Sequence, residues 1–178
     1  IMCGISGVVS LSSVSLTGIN AMMAALRHRG PDADGVYISN NARVALNHNR
    51  LSILDLSTHA NQPFYSACGR YVMVYSGEVY NFKVVREELQ KHHQKHFRTS
   101  SDTEVTIEAF VQWKEQMITR LHGMFAIAIF DQQENKVHLF RDRVGKKPLY
   151  YFQTDTCFAF ASEIKSLLAY PDIRNAVK

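Results

Sequence analysis

The order of apolar and polar positions in the first part of the chain predicts one strand followed by one helix. Residues 3–11 form a mostly apolar run, which is typical of a buried strand. Residues 16–28 carry apolar side chains three or four positions apart, the spacing of a helix that buries one face. Ser15 is a candidate N-cap for this helix, and Gly30-Pro31 ends the pattern because neither residue continues a helix.

The rest of the chain alternates between strands and helices. Strands are predicted at 35–39, 43–54 and 71–76, at 124–131 and 136–143, and at 148–153 and 157–162, whereas 57–69 is predicted to be a loop. Helices are predicted at 82–93, at 103–115 with Asp102 as a candidate cap, and from about 162 to 169, before Pro171. This mixture of elements predicts the α+β class.

One stretch, from Met124 to Phe130, is apolar on both of its strand faces. A sheet with one face in water would alternate between apolar and polar residues. We therefore expect this sheet to be covered on both sides, by another sheet, by helices or by one of each. Helices placed early and in the middle, with many strands between them, favour stacked sheets with helices outside.

Length and composition are those of an ordinary globular domain. The chain has 178 residues, of which 46% are hydrophobic and 20% charged, so we expect one domain over residues 1–178 with a sizeable core. The run from Met124 to Phe130 is far too short to span a bilayer, so no membrane partner is expected. Three cysteines and the lack of a secretion leader favour the cytoplasm, a reducing compartment.

The net charge of +4 raises the question of nucleic-acid binding. The basic cluster of Arg141, Arg143, Lys146 and Lys147 has no stacking aromatic motif or recognition helix beside it. We therefore expect a solvated turn, or a surface that meets another domain, and no nucleic-acid partner. The histidines within residues 92–96 are joined by no carboxylate or cysteine, so no metal site is expected.

Cys3 is the candidate nucleophile. Once Met2 is removed, Cys3 has a free α-amine whose pKa of roughly 7.7–8.0 lets it accept the thiol proton near neutral pH. One residue then supplies both nucleophile and base. With Ile1 and Met2 attached, the nitrogen is an amide, which is no base. A free cysteine is also a common packing residue, so Met2-Cys3-Gly4 alone leaves both interpretations open.

Several stretches together resemble one family. They are Met2-Cys3-Gly4-Ile5, Arg27-His28-Arg29-Gly30-Pro31-Asp32, Arg50-Leu51-Ser52-Ile53, Ser76-Gly77-Glu78-Val79-Tyr80-Asn81, Ser101-Asp102-Thr103-Glu104, Gly123-Met124-Phe125-Ala126, Arg141-Asp142-Arg143-Val144-Gly145 and Ala161-Ser162-Glu163-Ile164-Lys165-Ser166-Leu167. In this order they resemble the class II glutamine amidotransferase domain, and specifically the N-terminal glutaminase half of glutamine-dependent asparagine synthetases.

The resemblance implies an N-terminal nucleophile hydrolase fold, a four-layer αββα sandwich of two antiparallel sheets with helices outside. It also implies hydrolysis of glutamine to glutamate and ammonia. Cys3 would attack the side-chain amide, ammonia would leave, and water would cleave the glutamyl thioester. The ammonia would supply an ATP-dependent amidation, as in asparagine synthesis.

Further residues acquire roles through the same resemblance. Arg50 matches the residue that binds the substrate carboxylate, Asp102 the one that binds its ammonium group, Glu78, Leu51 and Ile53 the lining of that pocket, and Gly77 the backbone donor to the oxyanion. The stretch that contains Arg29 lies beside the cysteine in this family. Taken singly, these residues have ordinary alternatives: a surface arginine, a helix cap, a solvated glutamate and a turn glycine.

Ser76 departs from the family, which has an asparagine there as the second oxyanion donor. A serine hydroxyl is shorter, and loss of one such donor costs on the order of 10²–10³ in rate. Two alternatives to the expected activity therefore stay open. One is a catalytically weak or inactive glutamine-binding or regulatory module of the same fold, and the other is an amidotransferase for an acceptor other than aspartate.

Asparagine synthetases continue into a C-terminal synthetase domain with a Ser-Gly-Gly-x-Asp-Ser loop that binds ATP. No such loop occurs in these residues. The resemblance therefore implies a glutaminase domain truncated from a longer chain, with that synthetase domain of the same chain as its partner. ATP and Mg²⁺ are expected only there, no cofactor is expected in residues 1–178, and a homodimer is left open.

Overall fold

The computed structural model of the chain describes residues 3–51 and 61–177. The strands are β1 (Gly4–Ser10), β2 (Ala33–Ile38), β3 (Val44–Arg50), β4 (Phe64–Tyr65), β5 (Tyr71–Val79), β6 (Gly123–Asp131), β7 (Lys136–Arg141), β8 (Tyr150–Gln153) and β9 (Cys157–Ala161). The helices are α1 (Leu16–Ala25), α2 (Phe82–His93), α3 (Asp102–Trp113), α4 (Ile164–Ala169) and α5 (Pro171–Ala176), and a 3₁₀ helix spans Lys114–Thr119.

Among the described residues, the strands form two antiparallel sheets. The first has the strand order β2-β3-β1-β9-β8, and the second has the order β4-β5-β6-β7. In the first sheet Gly4 pairs with Asn49, so continuing the register by one residue brings Cys3 opposite Arg50. Cys3 therefore lies in the middle of a sheet, at one end of its central strand.

Three apolar clusters define four layers. Val8, Ala45 and the inward face of α1, α4 and α5 form the cluster on the outer side of the first sheet. Residues such as Ile5 and Val74 fill the space between the sheets, and a third cluster joins the second sheet to α2 and α3. The order helices, sheet, sheet, helices confirms the predicted αββα sandwich.

The stretch that is apolar on both faces lies in β6 of the second sheet. Phe125, Ile127 and Ile129 belong to the cluster shared with the helices, whereas Ala126 and Ala128 face the other sheet. Strand β6 is thus covered by helices on one face and by a sheet on the other, one of the three predicted arrangements. Within residues 3–51 and 61–177, no helix combines the length and apolar character needed to cross a bilayer.

Strand β5 extends three residues beyond the predicted end at 76. Its pairing with β6 continues without interruption from Tyr71–Asp131 to Val79–Gly123, because backbone hydrogen bonding does not depend on the polar side chains that ended the apolar pattern. As a result, Ser76, Gly77 and Glu78 lie inside a regular strand, where alternate side chains point to opposite faces.

Several other boundaries differ from the predictions. Helix α1 ends at Ala25 and not at 28, with Leu26 as its C-cap. Ser101, not Asp102, is the N-cap of α3, since its side chain accepts the N–H of Glu104. The predicted loop at 57–69 contains β4, and Pro171 begins α5, because proline fits the first turn of a helix.

His48 is a polar residue inside the packed space between the sheets. It lies on the same face of β3 as Leu46 and Arg50, is 1% exposed, and burial lowers its pKa to about 3. The folded protein therefore holds this imidazole in its neutral form across the neutral and mildly acidic range.

We predict that His48 contributes to acid sensitivity. The unfolded chain binds a proton at this position below about pH 6.5, whereas the folded chain does so only near pH 3. The free energy of unfolding should therefore fall between these pH values as pH is lowered, by up to about 1.4 kcal/mol per unit. Urea unfolding at pH 7.5 and pH 5 should show a shallower pH dependence for His48→Leu than for wild type.

The control for this prediction is His92→Gln, which changes an exposed histidine of α2. This variant should keep the wild-type pH dependence of the unfolding free energy. An unchanged dependence in His48→Leu would show that the folded protein tolerates a charged imidazole between its sheets.

Candidate active site

The thiol of Cys3 lies against the backbone at the end of β3. The N–H of Leu51 donates to Cys3 Sγ at 3.3 Å, and the thiol of Cys3 donates to the carbonyl oxygen of Leu51 at 3.7 Å. Burial raises the pKa of the Cys3 thiol, whereas the Leu51 N–H and then the charges of Lys147 and Arg50 lower it. Burial is the larger effect, so the pKa of the half-buried thiol is raised on balance, and these groups offset part of that rise.

The carbonyl oxygen of Cys3 accepts two hydrogen bonds from distant parts of the chain. Ser76 Oγ in β5 donates to it at 2.7 Å, and Arg29 Nε donates at 3.2 Å. Arg29 is itself held by Glu163, whose Oε1 lies 3.0 Å from its Nη1. The residue that precedes β1 is thus tied to the second sheet and to the segment before α4.

Glu163 is the anchor for several cations beside Cys3. It accepts from Arg29, from His28 at 2.9 Å and from Lys165 at 3.2 Å. Burial tends to raise the pKa of Glu163, but these hydrogen bonds outweigh burial and lower the pKa below its ordinary value. The ionised carboxylate therefore fixes the orientation of Arg29 toward the nucleophile.

The backbone of Gly77 faces the edge of β5 that is not paired with β6. The N–H of Tyr75 donates to Gln62 Oε1 at 2.6 Å and that of Val79 to Asp102 Oδ2 at 3.0 Å, both on this edge. Because N–H groups two residues apart point to the same side of a strand, the Gly77 N–H also points there. It lies one residue from the side chain that contacts Cys3, where it is suited to bind an anion.

The pairing partner of Gly77 also indicates that the Gly77 N–H points to the open edge of β5. Phe125, opposite Gly77, directs its N–H and carbonyl toward Asp142 at 3.3 and 2.9 Å, away from β5. A Cβ at position 77 would collide with the carbonyl oxygen of Met124. Only glycine therefore allows β5 and β6 to approach this closely while leaving that N–H on the open edge.

Arg50 is the last residue of β3, and Asp102 is the first residue of α3. Arg50 is buried, which excludes the surface-arginine alternative, and its Nη1 donates to Asn61 Oδ1 at 2.5 Å. Asp102 is also buried, and its Oδ2 accepts the hydroxyl of Tyr75 at 2.7 Å. Burial, and next the charge of Asp102, raise the pKa of Tyr75 well above its usual value.

Glu78 shares a strand face with Ser76, because the two residues lie two positions apart in β5. It lies close enough to the hydroxyl of Tyr75 to raise the pKa of that group, as does Cys3. The structure therefore brings Cys3, Ser76 and Leu51 into direct contact and places Arg50, Glu78 and Asp102 around them. Ile53 lies outside the described residues.

Lys147 adds a cation that the sequence analysis assigned to a solvated turn or to a surface that meets another domain. That prediction is wrong for this residue, since Lys147 is 3% exposed. Burial, and then the charge of Arg29, lower the pKa of Lys147, whereas Cys3 and Glu78 raise it. Its ammonium group thus lies within the electrostatic reach of the nucleophile.

The turn that carries Lys147 folds back on itself. Asp142 accepts the N–H groups of Lys146 and Lys147 at 2.8 and 2.9 Å, and Arg141 Nε donates to the carbonyl of Lys147 at 2.7 Å. The segment Arg141-Asp142-Arg143-Val144-Gly145 had carried only a family resemblance. Its acidic residue between basic ones was the available signal that this turn is internally bonded and not simply solvated.

Comparison with known proteins gives one consistent result. The family model described as a glutamine amidotransferase domain matches residues 2–178. The glutamine-hydrolysing asparagine synthetases 3 and 2 of Bacillus subtilis are 36% and 38% identical over 99% and 96% of this chain. The chain spans only 29% and 23% of their lengths.

A solved structure supports the fold. The glutamine phosphoribosylpyrophosphate amidotransferase of B. subtilis, solved with ADP and GMP, superposes with a TM-score of 0.76 at 18% sequence identity. The match covers 94% of this chain and 43% of that chain. At this level of identity the likeness concerns the fold alone, an N-terminal nucleophile type of sandwich.

We predict that Lys147→Met makes the Cys3 thiol less reactive at neutral pH. The charge of Lys147 lowers the pKa of Cys3, so its loss should shift the pH profile of Cys3 alkylation to higher pH. At pH 7.5 the alkylation rate should fall about two- to tenfold. Site-resolved mass spectrometry of protein treated with iodoacetamide measures this rate.

Lys146→Met is the matched control, since it removes the same charge from the exposed neighbouring position. It should leave the alkylation profile of Cys3 within error of wild type. Equal shifts in the two variants would mean that only the net charge of the turn matters, which contradicts a specific role for the buried ammonium group.

Proposed function

This chain belongs to the glutamine amidotransferase family, and from that premise we propose that it hydrolyses glutamine to glutamate and ammonia. The ammonia would supply an ATP-dependent amidation, as in asparagine synthesis. The observation that carries the proposal is the arrangement at Cys3, whose thiol is held by the Leu51 backbone beside the Ser76-Gly77-Glu78 end of β5. A cysteine that served only as a packing residue would not have these polar neighbours.

The reaction requires Cys3 to be the terminal residue. Its free α-amine takes the thiol proton, the thiolate attacks the side-chain amide carbon of glutamine, and the amine returns a proton to the departing ammonia. Water then cleaves the thioester and releases glutamate. The charges of Lys147 and Arg50, which lower the pKa of the thiol, would hold the same thiolate during the attack.

Recognition of glutamine requires a cation for its carboxylate and anions for its ammonium group. Arg50 supplies a guanidinium fork that suits a carboxylate, on the strand whose end holds the thiol. Asp102 and Glu78 supply negative charge on the opposite side of Cys3, and the side chains of Leu51 and Ile53 would line the pocket. The N–H of Gly77, on the open edge of β5, would stabilise the oxyanion of the tetrahedral intermediate.

The partner that uses the ammonia would be a C-terminal synthetase domain of the same chain, since the relatives are three to four times longer than the matched part. ATP and Mg²⁺ would bind there, and the glutaminase chemistry itself needs no cofactor. The acceptor would be aspartate or another carboxylate. The free thiols of Cys3, Cys68 and Cys157 fit a reducing cytoplasm, and a homodimer is not part of the proposal.

The second candidate is a glutamine-binding module of low or no activity. The hydroxyl of Ser76 is bonded to the Cys3 carbonyl, so the second oxyanion donor of the family is absent from that position. A glutaminase assay separates the two functions, because a binding module would retain glutamine without releasing glutamate.

We predict that Cys3→Ala abolishes glutamate release from protein that begins at residue 3. The substitution removes the sulfur atom that would form the thioester, so the rate should fall by at least about 10⁴-fold, the scale of losing a nucleophile. Coupled detection of glutamate, with intact mass to confirm the terminus, measures the effect. Comparable activity in both proteins would overturn the proposed function.

We also predict that protein retaining Ile1 and Met2 is inactive on glutamine. The nitrogen of Cys3 is then part of a peptide bond and cannot accept the thiol proton. The same chain expressed to begin at Met2, so that a methionine aminopeptidase exposes Cys3, should gain activity. Glutamate release by the species whose mass includes both residues would show that another group acts as the base.

A further inference from the structure

We propose that Ser76 is a positioning residue that holds the nucleophile through the main-chain carbonyl of Cys3, and that it does not donate to the oxyanion. This inference rests on the proposed function, since it assigns a role within the same site. It concerns the position at which the sequence departs from the family asparagine. The site would then carry out the same reaction as the family, but the polar side chain at position 76 would bind the Cys3 carbonyl and not the oxyanion.

The first argument is the geometry of the bond. Ser76 is 1% exposed, and its Oγ lies 2.7 Å from the Cys3 carbonyl oxygen, across 73 positions of sequence. Ser76 belongs to the second sheet, whereas Cys3 directly precedes β1 of the first sheet. One short hydrogen bond therefore joins the two sheets at the nucleophile.

The second argument concerns how many hydrogen bonds each group can make. A serine hydroxyl has one hydrogen to donate, and the Cys3 carbonyl takes it. Donation to an oxyanion would leave this half-buried carbonyl with the Arg29 bond, at the longer distance of 3.2 Å. A carbonyl that is partly removed from water and loses a partner costs free energy, so the existing bond is favoured. The oxyanion is thus left to the N–H of Gly77.

The third argument is that the carbonyl bond completes a set of restraints on one residue. Leu51 holds Sγ at 3.3 Å, while Ser76 and Arg29 hold the carbonyl oxygen. Fixing both ends of Cys3 sets the direction of its Cα–Cβ bond and therefore the direction of attack. Such orientation contributes strongly to rate, because a misplacement of about 1 Å can cost 10²-fold.

The space around Ser76 explains why a small side chain fits there. Ser76 is opposite Ala126 of β6, and its face of β5 continues through the inter-sheet residues Val72 and Val74. The short side chain keeps its hydroxyl close to β5, within hydrogen-bond distance of the Cys3 carbonyl oxygen. Donation to Cys3 thus follows from the packing of the sheets and needs no movement of β5.

The test uses a reaction of Cys3 that forms no oxyanion. Alkylation by iodoacetamide displaces iodide at a saturated carbon, so a donor that serves only the oxyanion cannot affect it. We expect Ser76→Ala to slow Cys3 alkylation at pH 7.5 at least about threefold and to move the pH profile upward, because Cys3 shifts from the Leu51 N–H. Ser76→Thr, which keeps the hydroxyl, should restore most of the rate. An unchanged alkylation profile in Ser76→Ala would overturn the proposal.

Two controls accompany this test. Ser166→Ala removes a similar buried bond, from a hydroxyl to the carbonyl of Met22 at 2.9 Å, away from Cys3, and should leave Cys3 alkylation unchanged. Cys68 is exposed and reports the intrinsic reactivity of the reagent within each protein. If thermal unfolding shows that Ser76→Ala does not fold, Ser76→Cys tests the same point, since a thiol of similar size is a weak donor.

Glutaminase kinetics separate this proposal from the proposed function. If the wild-type protein releases glutamate, Ser76→Ala should lower kcat about ten- to a hundredfold and leave KM within about twofold. Alkylation of Cys3 should be slowed in the same variant. Slowed alkylation in a protein whose wild type releases no glutamate would refute the function and support the positioning role. A fall in kcat with normal alkylation would identify Ser76 as an oxyanion donor and refute the positioning role alone.

Discussion

The site depends on holding Cys3 between two stacked sheets. Cys3 precedes the central strand of one sheet, and its carbonyl is bonded by a residue of the other sheet and by Arg29. Chain ends are ordinarily mobile unless bonded to the rest of the fold. These bonds fix the position of Cys3, so its thiol is held in one orientation.

The electrostatics of the site follow from the same burial. Removing the thiol from water raises its pKa, and the nearby cations Lys147 and Arg50 counteract this effect. Like charges so close together repel, and acidic groups compensate: Glu163 pairs with Arg29, and Asp142 accepts the backbone of the Lys147 turn. The anionic and cationic residues thus form one system, in which the acidic groups place the cations and the cations favour the thiolate.

The sequence determined most of the elements, though not β4 or α5, and which family the chain belongs to. Alternation and helical spacing are local properties, so they predicted strand β6, helix α2 and the covered sheet. The ordered motifs pointed to the amidotransferase domain and to Cys3. Local patterns failed where backbone pairing continues through polar side chains, as at the end of β5, and where the first residue of a helix was mistaken for its cap, as at Asp102.

Only the tertiary structure decided what each candidate side chain contacts. Ser76 is bonded to a residue 73 positions away, and Lys147 is buried although it follows an exposed lysine. No local pattern encodes these facts, because they arise from the distance and register between two sheets. The sequence by itself determined the residues available for the chemistry. The stacking of the sheets decided which of them meet at Cys3, since hydrogen bonds act only over a few ångströms.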